Sequence, residues 1–145
     1  MTARGVWLVK SEPYKYSFEQ LLRDRRTVWE GVRNFEARNN LRAMKRGDML
    51  LYYHSNEGKA IVGIAEVARE AYPDPSVDAE ERGDWSAIDV VAKLALKKPV
   101  SLATIKDHPA LSEMMLLKRS RLSVVPVREA ELAVILKLAA TRLPR

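Results

Sequence analysis

A chain of 145 residues that is 47% hydrophobic and 30% charged has the make-up of one soluble domain with enough apolar material for a packed core. It has no cysteine, which excludes disulfides, thiolate zinc sites and cysteine nucleophiles. The net charge of +6 is uneven: residues 1–48 hold 11 Lys/Arg against 6 Asp/Glu, whereas the stretch Glu70 to Asp84 carries six acids against Arg82 alone.

A basic first third fits a polyanionic partner, and it fits plain solubility equally well. The opening "MTARGVWLVK" has no long apolar run and no small-residue cleavage pattern. No segment reaches the roughly 20 apolar residues of a membrane span. A cytoplasmic protein without membrane contact, monomeric by default, is therefore expected.

"GVWLVKSEP" predicts a strand from Val6 to Lys10, stopped by Pro13, with Trp7 packed in the core. "SFEQLLRDRR" predicts a helix with a capping box, Ser17 as N-cap and Gln20 three residues on, and an apolar face of Phe18, Leu21 and Leu22. A short strand from Thr27 to Glu30 and Gly31 then lead to a second helix over Phe35 to Arg46. Asn34 can cap its start, Glu36 favours its first turn, and Gly47 sits where a C′ glycine ends a helix. Ala37, Leu41 and Met44 form its inward stripe, and Arg38, Arg42 and Lys45 form a basic stripe about 100° round.

"DMLLYYHSNEGKAIVGIAEVARE" is a strand–turn–strand with Ser55 to Gly58 at the turn, and Gly63 marks a bulge or a close backbone approach. "WSAIDVVAKLALKK" predicts a long strand begun by Trp85 and ended by Pro99. "SLATIKDH" and "PALSEM" predict short helical turns, "RLSVVPV" a further strand and "REAELAVILKLAATR" a closing amphipathic helix. With no internal repeat or Gly/Ser linker, residues 1–145 read as one domain. Strands in hairpin-compatible order with helices between and around them predict a small α+β barrel, and their irregular alternation argues against a doubly wound parallel sheet.

Catalytic patterns are missing. His54 and His108 lie far apart and outside any H-x-x-x-H or H-E-x-x-H spacing, and there is no G-x-S-x-G, P-loop or G-x-G-x-x-G. Glu80–Glu81 sit in the acidic loop, where solvation explains them. Ser11 follows Lys10 directly, but strand neighbours point to opposite faces, a poor arrangement for a serine–lysine nucleophile. No metal or cofactor is expected.

"WLVKSEP", "VWEGVRNFEARNNLRAMKRGD", "YYHSN", "IVGIAEVAREAYPDP" and "RLSVVPV" occur in the order and spacing of EVE-domain proteins, which the chain resembles from about Gly5 to the closing helix. The resemblance implies a PUA-like fold, a small pseudo-barrel of mostly antiparallel strands with flanking α-helices, related to YTH, ASCH and PUA domains. It further implies a reader of modified bases in DNA or RNA, such as methylated cytosine or adenine. The sequence departs from the family pattern in a short loop before Trp85, and in Val125 where a polar residue is expected.

A base reader must extract its target from the stack, which costs a few kcal/mol, and stacking on an aromatic side chain returns roughly 1–3 kcal/mol per base. Trp29 fits either that platform or an ordinary core tryptophan. Lys10, Ser11, Val32, Asn34, Tyr53, His54, Ser55 and Asn56 are the candidate polar and apolar lining of a base pocket, with Trp85 as a second cage wall. Tyr52 and Tyr53 point to opposite faces of their strand, and Tyr53 is the one expected to face the pocket. Arg33, Arg38, Arg42 and Lys45 are the candidate phosphate contacts beside a helix N-terminus. A free nucleoside or metabolite site, a protein-interaction domain and a nucleic-acid hydrolase remain alternatives.

Overall fold

The computed structural model describes residues 5–78 and 83–143, so Glu80, Glu81 and Arg82 lie outside the described residues. The strands are β1 (Val6–Ser11), β2 (Arg26–Trp29), β3 (Met49–His54), β4 (Ala60–Pro73), β5 (Ser86–Ser101) and β6 (Val124–Pro126). The helices are α1 (Phe18–Asp24), α2 (Phe35–Ala43), α3 (Leu102–Asp107), α4 (Met115–Lys118) and α5 (Glu129–Leu138), with one 3₁₀ turn at Pro109–Leu111.

The strands form one mixed six-stranded sheet in the order β2-β5-β4-β3-β1-β6, which is not closed: β2 and β6 are its edges. The fold is α+β. β1 and β3 run parallel, with Val6 opposite Met49 and Ser11 opposite His54, and the other neighbours are antiparallel. A parallel pair needs a long crossover, here the segment containing α1, β2 and α2. β3 is buried on both faces, which explains why "MLLYY" is an unbroken apolar run instead of an alternation.

The helices start where the capping residues stand. Ser17 accepts the Gln20 N–H and Asn34 accepts the Ala37 N–H, each offering an oxygen to a donor without an intrahelical partner. The capping box of α1 is only half made, because the Gln20 side chain turns to Asp24 and Arg23 instead of the Ser17 backbone. α2 ends at Ala43, earlier than Arg46. A turn over Lys45–Asp48 takes over there: the Asp48 N–H donates to the Lys45 carbonyl and the Asp48 carboxylate accepts the Lys45 N–H. Gly47, at φ +91°, shapes that turn instead of a helix C-terminus. The same buried carboxylate accepts the Gly5 N–H and the indole N–H of Trp7, which is half-buried at the core edge instead of enclosed in it.

Pro99 does not end its strand. β5 continues to Ser101, and Pro99 falls in the bulged stretch between the pairs Gly63–Ala95 and Ile61–Val100, where no ladder N–H is required. α4 is a single turn with no side-chain cap, too short to leave a pattern in the sequence.

Two contacts hold the crossover segment in place. At Gly63, opposite Tyr52, a Cβ would overlap the Phe18 ring at the start of α1, so the glycine is what lets α1 lie on the sheet. Asp74 is buried and gathers the segment after β2: it accepts the Gly31 N–H at 2.9 Å and the Arg33 guanidinium at 3.0 Å, as well as the Ser76 N–H and hydroxyl. Burial alone would raise the Asp74 carboxyl, but hydrogen bonds from Ser76, Gly31 and Arg33 outweigh it and hold the pKa at about 2.

Gly63→Ala is expected to destabilise the protein by about 1–3 kcal/mol through overpacking on Phe18, read as a lower urea midpoint at unchanged m-value. Because the folded Asp74 pKa lies below the usual carboxylate value, its stabilisation is complete above about pH 4 and is lost as pH falls towards 2. Asp74→Asn should therefore lower the urea midpoint at pH 7, and the gap to the wild type should narrow steadily on acidification.

Candidate nucleic-acid interface

Trp29 ends β2, an edge strand held to the sheet only through β5, with Trp29 opposite Ile88. Its ring meets Tyr52 edge-on, with centroids 5.5 Å apart at 86°. Tyr52 is itself packed against Phe18 and His54, and its hydroxyl donates to the Tyr16 carbonyl at 2.6 Å. Trp29 is 9% exposed, so most of the indole is core. Trp29 also lines an open cleft of about 460 Å³, together with Lys10, Ser11, Ser123, Glu30, Val32 and Arg33. The residue thus belongs to the core and borders the cleft.

A second cleft of about 870 Å³ shares Lys10 and Ser11 with the first and is lined by Tyr53, Ser55 and Asn56 together with Lys59, Lys106 and Arg121. Lys10 belongs to both clefts. Its Nζ donates to the Ser120 carbonyl at 2.8 Å and stands 5.9 Å from the centre of the Tyr53 ring, and burial lowers its pKa. Ser11 also lines both, so the two residues form a shared border of the clefts at the end of β1.

The structure therefore divides the residues selected from sequence. Lys10, Ser11, Trp29, Val32 and Arg33 meet at the smaller cleft, and Tyr53, Ser55 and Asn56 line the larger. Asn34 lines neither; it caps α2 and borders a hollow of about 320 Å³ with Arg119 and Arg121. His54 is half-buried, and its Nε2 accepts the Phe18 N–H at 3.1 Å. Burial lowers its pKa against the opposing pull of Glu19, in keeping with a neutral ring whose free lone pair is already used.

Trp85 is not a wall of the Trp29 cleft. It stacks on Phe35, centroids 5.0 Å apart at 14°, with the Arg33 guanidinium 5.4 Å from the Trp85 ring and that of Arg38 4.7 Å from the Phe35 ring. Arg38 and Arg42 of α2 donate to the carbonyls of Asp84 and Gly83 and hold the end of the loop before Trp85 against the helix. Arg42 also binds the Ser86 hydroxyl at 2.8 Å. These two arginines use part of their donor sets inside the molecule, and Lys45 stands beyond the helix end on the turn before β3. Val125 is fully buried opposite Leu8 and faces neither cleft.

The cations of the larger cleft escaped sequence reasoning. Lys59 comes from the β3–β4 turn, Lys106 from α3 and Arg121 from the segment before β6, so no local run of charge marks them.

The EVE domain profile matches residues 5–138. Chicken thymocyte nuclear protein 1 is 39% identical over an alignment covering 91% of this chain and 67% of that protein. The structure of human THYN1 protein in complex with 5-methylcytosine containing DNA superposes with a TM-score of 0.86 at 34% identity, covering 95% of this chain and 99% of that one. The YTH domain of Zygosaccharomyces rouxii MRB1 protein shares the fold at a TM-score of 0.59 and 18% identity, covering 99% of this chain and 91% of that one. With the profile spanning residues 5–138 and a relative 39% identical over most of the chain, this chain belongs to the EVE-domain family.

Proposed function

We propose that the protein is a non-catalytic module that binds nucleic acid carrying a modified base, with the base held in the Trp29 cleft. The observation that carries this reading is a tryptophan packed edge-on against Tyr52 that also lines an open cleft shared with the hydrogen-bonding residues Lys10, Ser11 and Ser123. The likeness to human THYN1, whose structure is described as a complex with 5-methylcytosine containing DNA, supports the same ligand class.

The physical scheme is simple. An extracted base gains stacking of roughly 1–3 kcal/mol on the indole. The Ser11 hydroxyl and the Lys10 ammonium offer groups for its edge, and Val32 gives apolar space in which a buried methyl contributes on the order of 0.8 kcal/mol. Arg33 stands at the rim and retains exposure despite its ion pair with Asp74. A binding role rather than catalysis is supported by the histidines: a ring nitrogen of His54 accepts the Phe18 N–H, and one of His108 accepts the Ala110 N–H.

A second reading, a site for a free nucleoside or small metabolite, is favoured by the larger cleft, whose volume lies within the roughly 300–1,000 Å³ range of small-molecule pockets. Binding of oligonucleotides bearing 5-methylcytosine or N6-methyladenine, with plain controls, separates the two. The base reader shows affinity that falls steeply with salt and a preference for the modified strand. The metabolite site shows nucleoside affinity insensitive to flanking phosphates.

Trp29→Ala should reduce modified-strand affinity by about 5- to 100-fold and abolish the preference. Trp29→Phe, which keeps an aromatic ring against Tyr52, should retain both the fold by circular dichroism and part of the preference. Equal binding of modified and plain strands by the wild type would defeat the reading, and so would magnesium-dependent cleavage of the oligonucleotide.

A further inference from the structure

The larger cleft has no occupant in the scheme above, yet it has a strongly biased lining. Five cations, Lys10, Lys15, Lys59, Lys106 and Arg121, face it against a single acid, Glu12. Glu12 is engaged by Lys15 at 3.6 Å, and Lys10 is engaged by the Ser120 carbonyl. Lys59, Lys106 and Arg121 make no ion pair with any described residue. They come from three separate parts of the chain, and all three are exposed. Unpaired like charges converging on one concavity raise its positive potential, and low-dielectric walls focus that field on an anion in the cleft.

The position of the cleft selects which anion. It shares Lys10, Ser11, Lys15 and Ser123 with the Trp29 cleft, so the two are neighbouring halves of one trough divided by the end of β1. A strand that places one base against Trp29 runs its next phosphates over that ridge. Beyond the ridge, Leu102, Leu116 and Leu117 give an apolar wall suited to sugar or base faces. A free inorganic anion has no use for such a wall.

We propose that this basic cleft seats the phosphodiester backbone on one side of the read base, with Lys59, Lys106 and Arg121 as phosphate contacts. The assignment rests on the base reading of the Trp29 cleft and adds the path of the strand to it. Arg38 and Arg42, two of the arginines selected from sequence, spend part of their donors on the loop before β5 and on Ser86.

The test uses the full chain and a Lys59→Ala/Lys106→Ala/Arg121→Ala variant. A variant of equal charge loss, Lys97→Ala/Lys98→Ala/Lys137→Ala, serves as control on exposed residues outside this cleft. Single strands with one 5-methylcytosine or plain cytosine are extended stepwise on either side of the target base and titrated at several salt concentrations. Wild-type affinity should rise with extension on one side only. The cleft variant should lose that gain and show a slope of log affinity against log salt shallower by about 2, as expected for three single-strand phosphate contacts removed. The preference for 5-methylcytosine should survive in it, and the control variant should keep the full extension gain.

An unchanged slope and an unchanged extension gain in the cleft variant would overturn the assignment while leaving the base reading standing. Equal binding of modified and plain strands by the wild type would strike the base reading, while the slope comparison still decides the phosphate contacts. Competition by poly-glutamate as strong as that by the oligonucleotide, and lost in the cleft variant, would overturn the assignment in favour of an acidic protein partner.

Discussion

Tyr52 sits at the centre of the most buried strand, and its ring is where the crossover segment is fastened to the sheet. Trp29 from β2, Phe18 from α1 and His54 from the end of β3 all pack against it, and its hydroxyl reaches the Tyr16 carbonyl. An edge-to-face aromatic contact contributes about 0.5–1.5 kcal/mol beyond area burial, so a cluster of this kind is worth several ordinary contacts. Burial raises the Tyr52 pKa, and the neutral phenol keeps its one donor on Tyr16. Trp29 takes its orientation from this cluster. An indole free to rotate would be a poor platform, because ordering it on binding would consume part of the stacking energy.

The same logic governs the polar groups that crowd the segment from Val28 to Met44. Their planarity suits base edges and phosphates, but it suits internal ties equally well. Asn34 caps α2, Asn40 donates to the Val124 carbonyl at 2.7 Å, and Arg38 holds Asn39 and the Asp84 carbonyl. Arg33 is anchored to Asp74, which also holds Gly31. The segment is therefore mostly scaffold, and only its first part, Val28 to Arg33, borders the smaller cleft. Such anchoring positions a ligand-facing group within a narrow range, as a binding site on an edge strand requires.

The hairpin and the N-caps Ser17 and Asn34 were legible in the sequence, because each depends on residues within a few positions of one another; Gly63 was legible as a special position, but its partner Phe18 was not. The boundaries failed where a distant partner intervened. α2 stopped early because Asp48 gathers Gly5, Trp7 and the Lys45 N–H into one knot, and Pro99 was tolerated because β4 leaves β5 unpaired there. Trp85 lies away from the Trp29 cleft for a similar reason. Its stacking partner Phe35 is fifty residues away, and nothing local announces a stack.

The sequence by itself determined the family, the α+β class, the absence of thiol chemistry and the presence of an aromatic–polar centre around Trp29, since these follow from residue identity and spacing. Only the tertiary structure decided that Lys10 and Ser11 stand between two clefts, and that the larger one collects Lys59, Lys106 and Arg121. The physical reason is that electrostatic potential and cavity shape sum over neighbours in space. Residues drawn from a turn, a helix and a loop make one field without leaving any pattern along the chain.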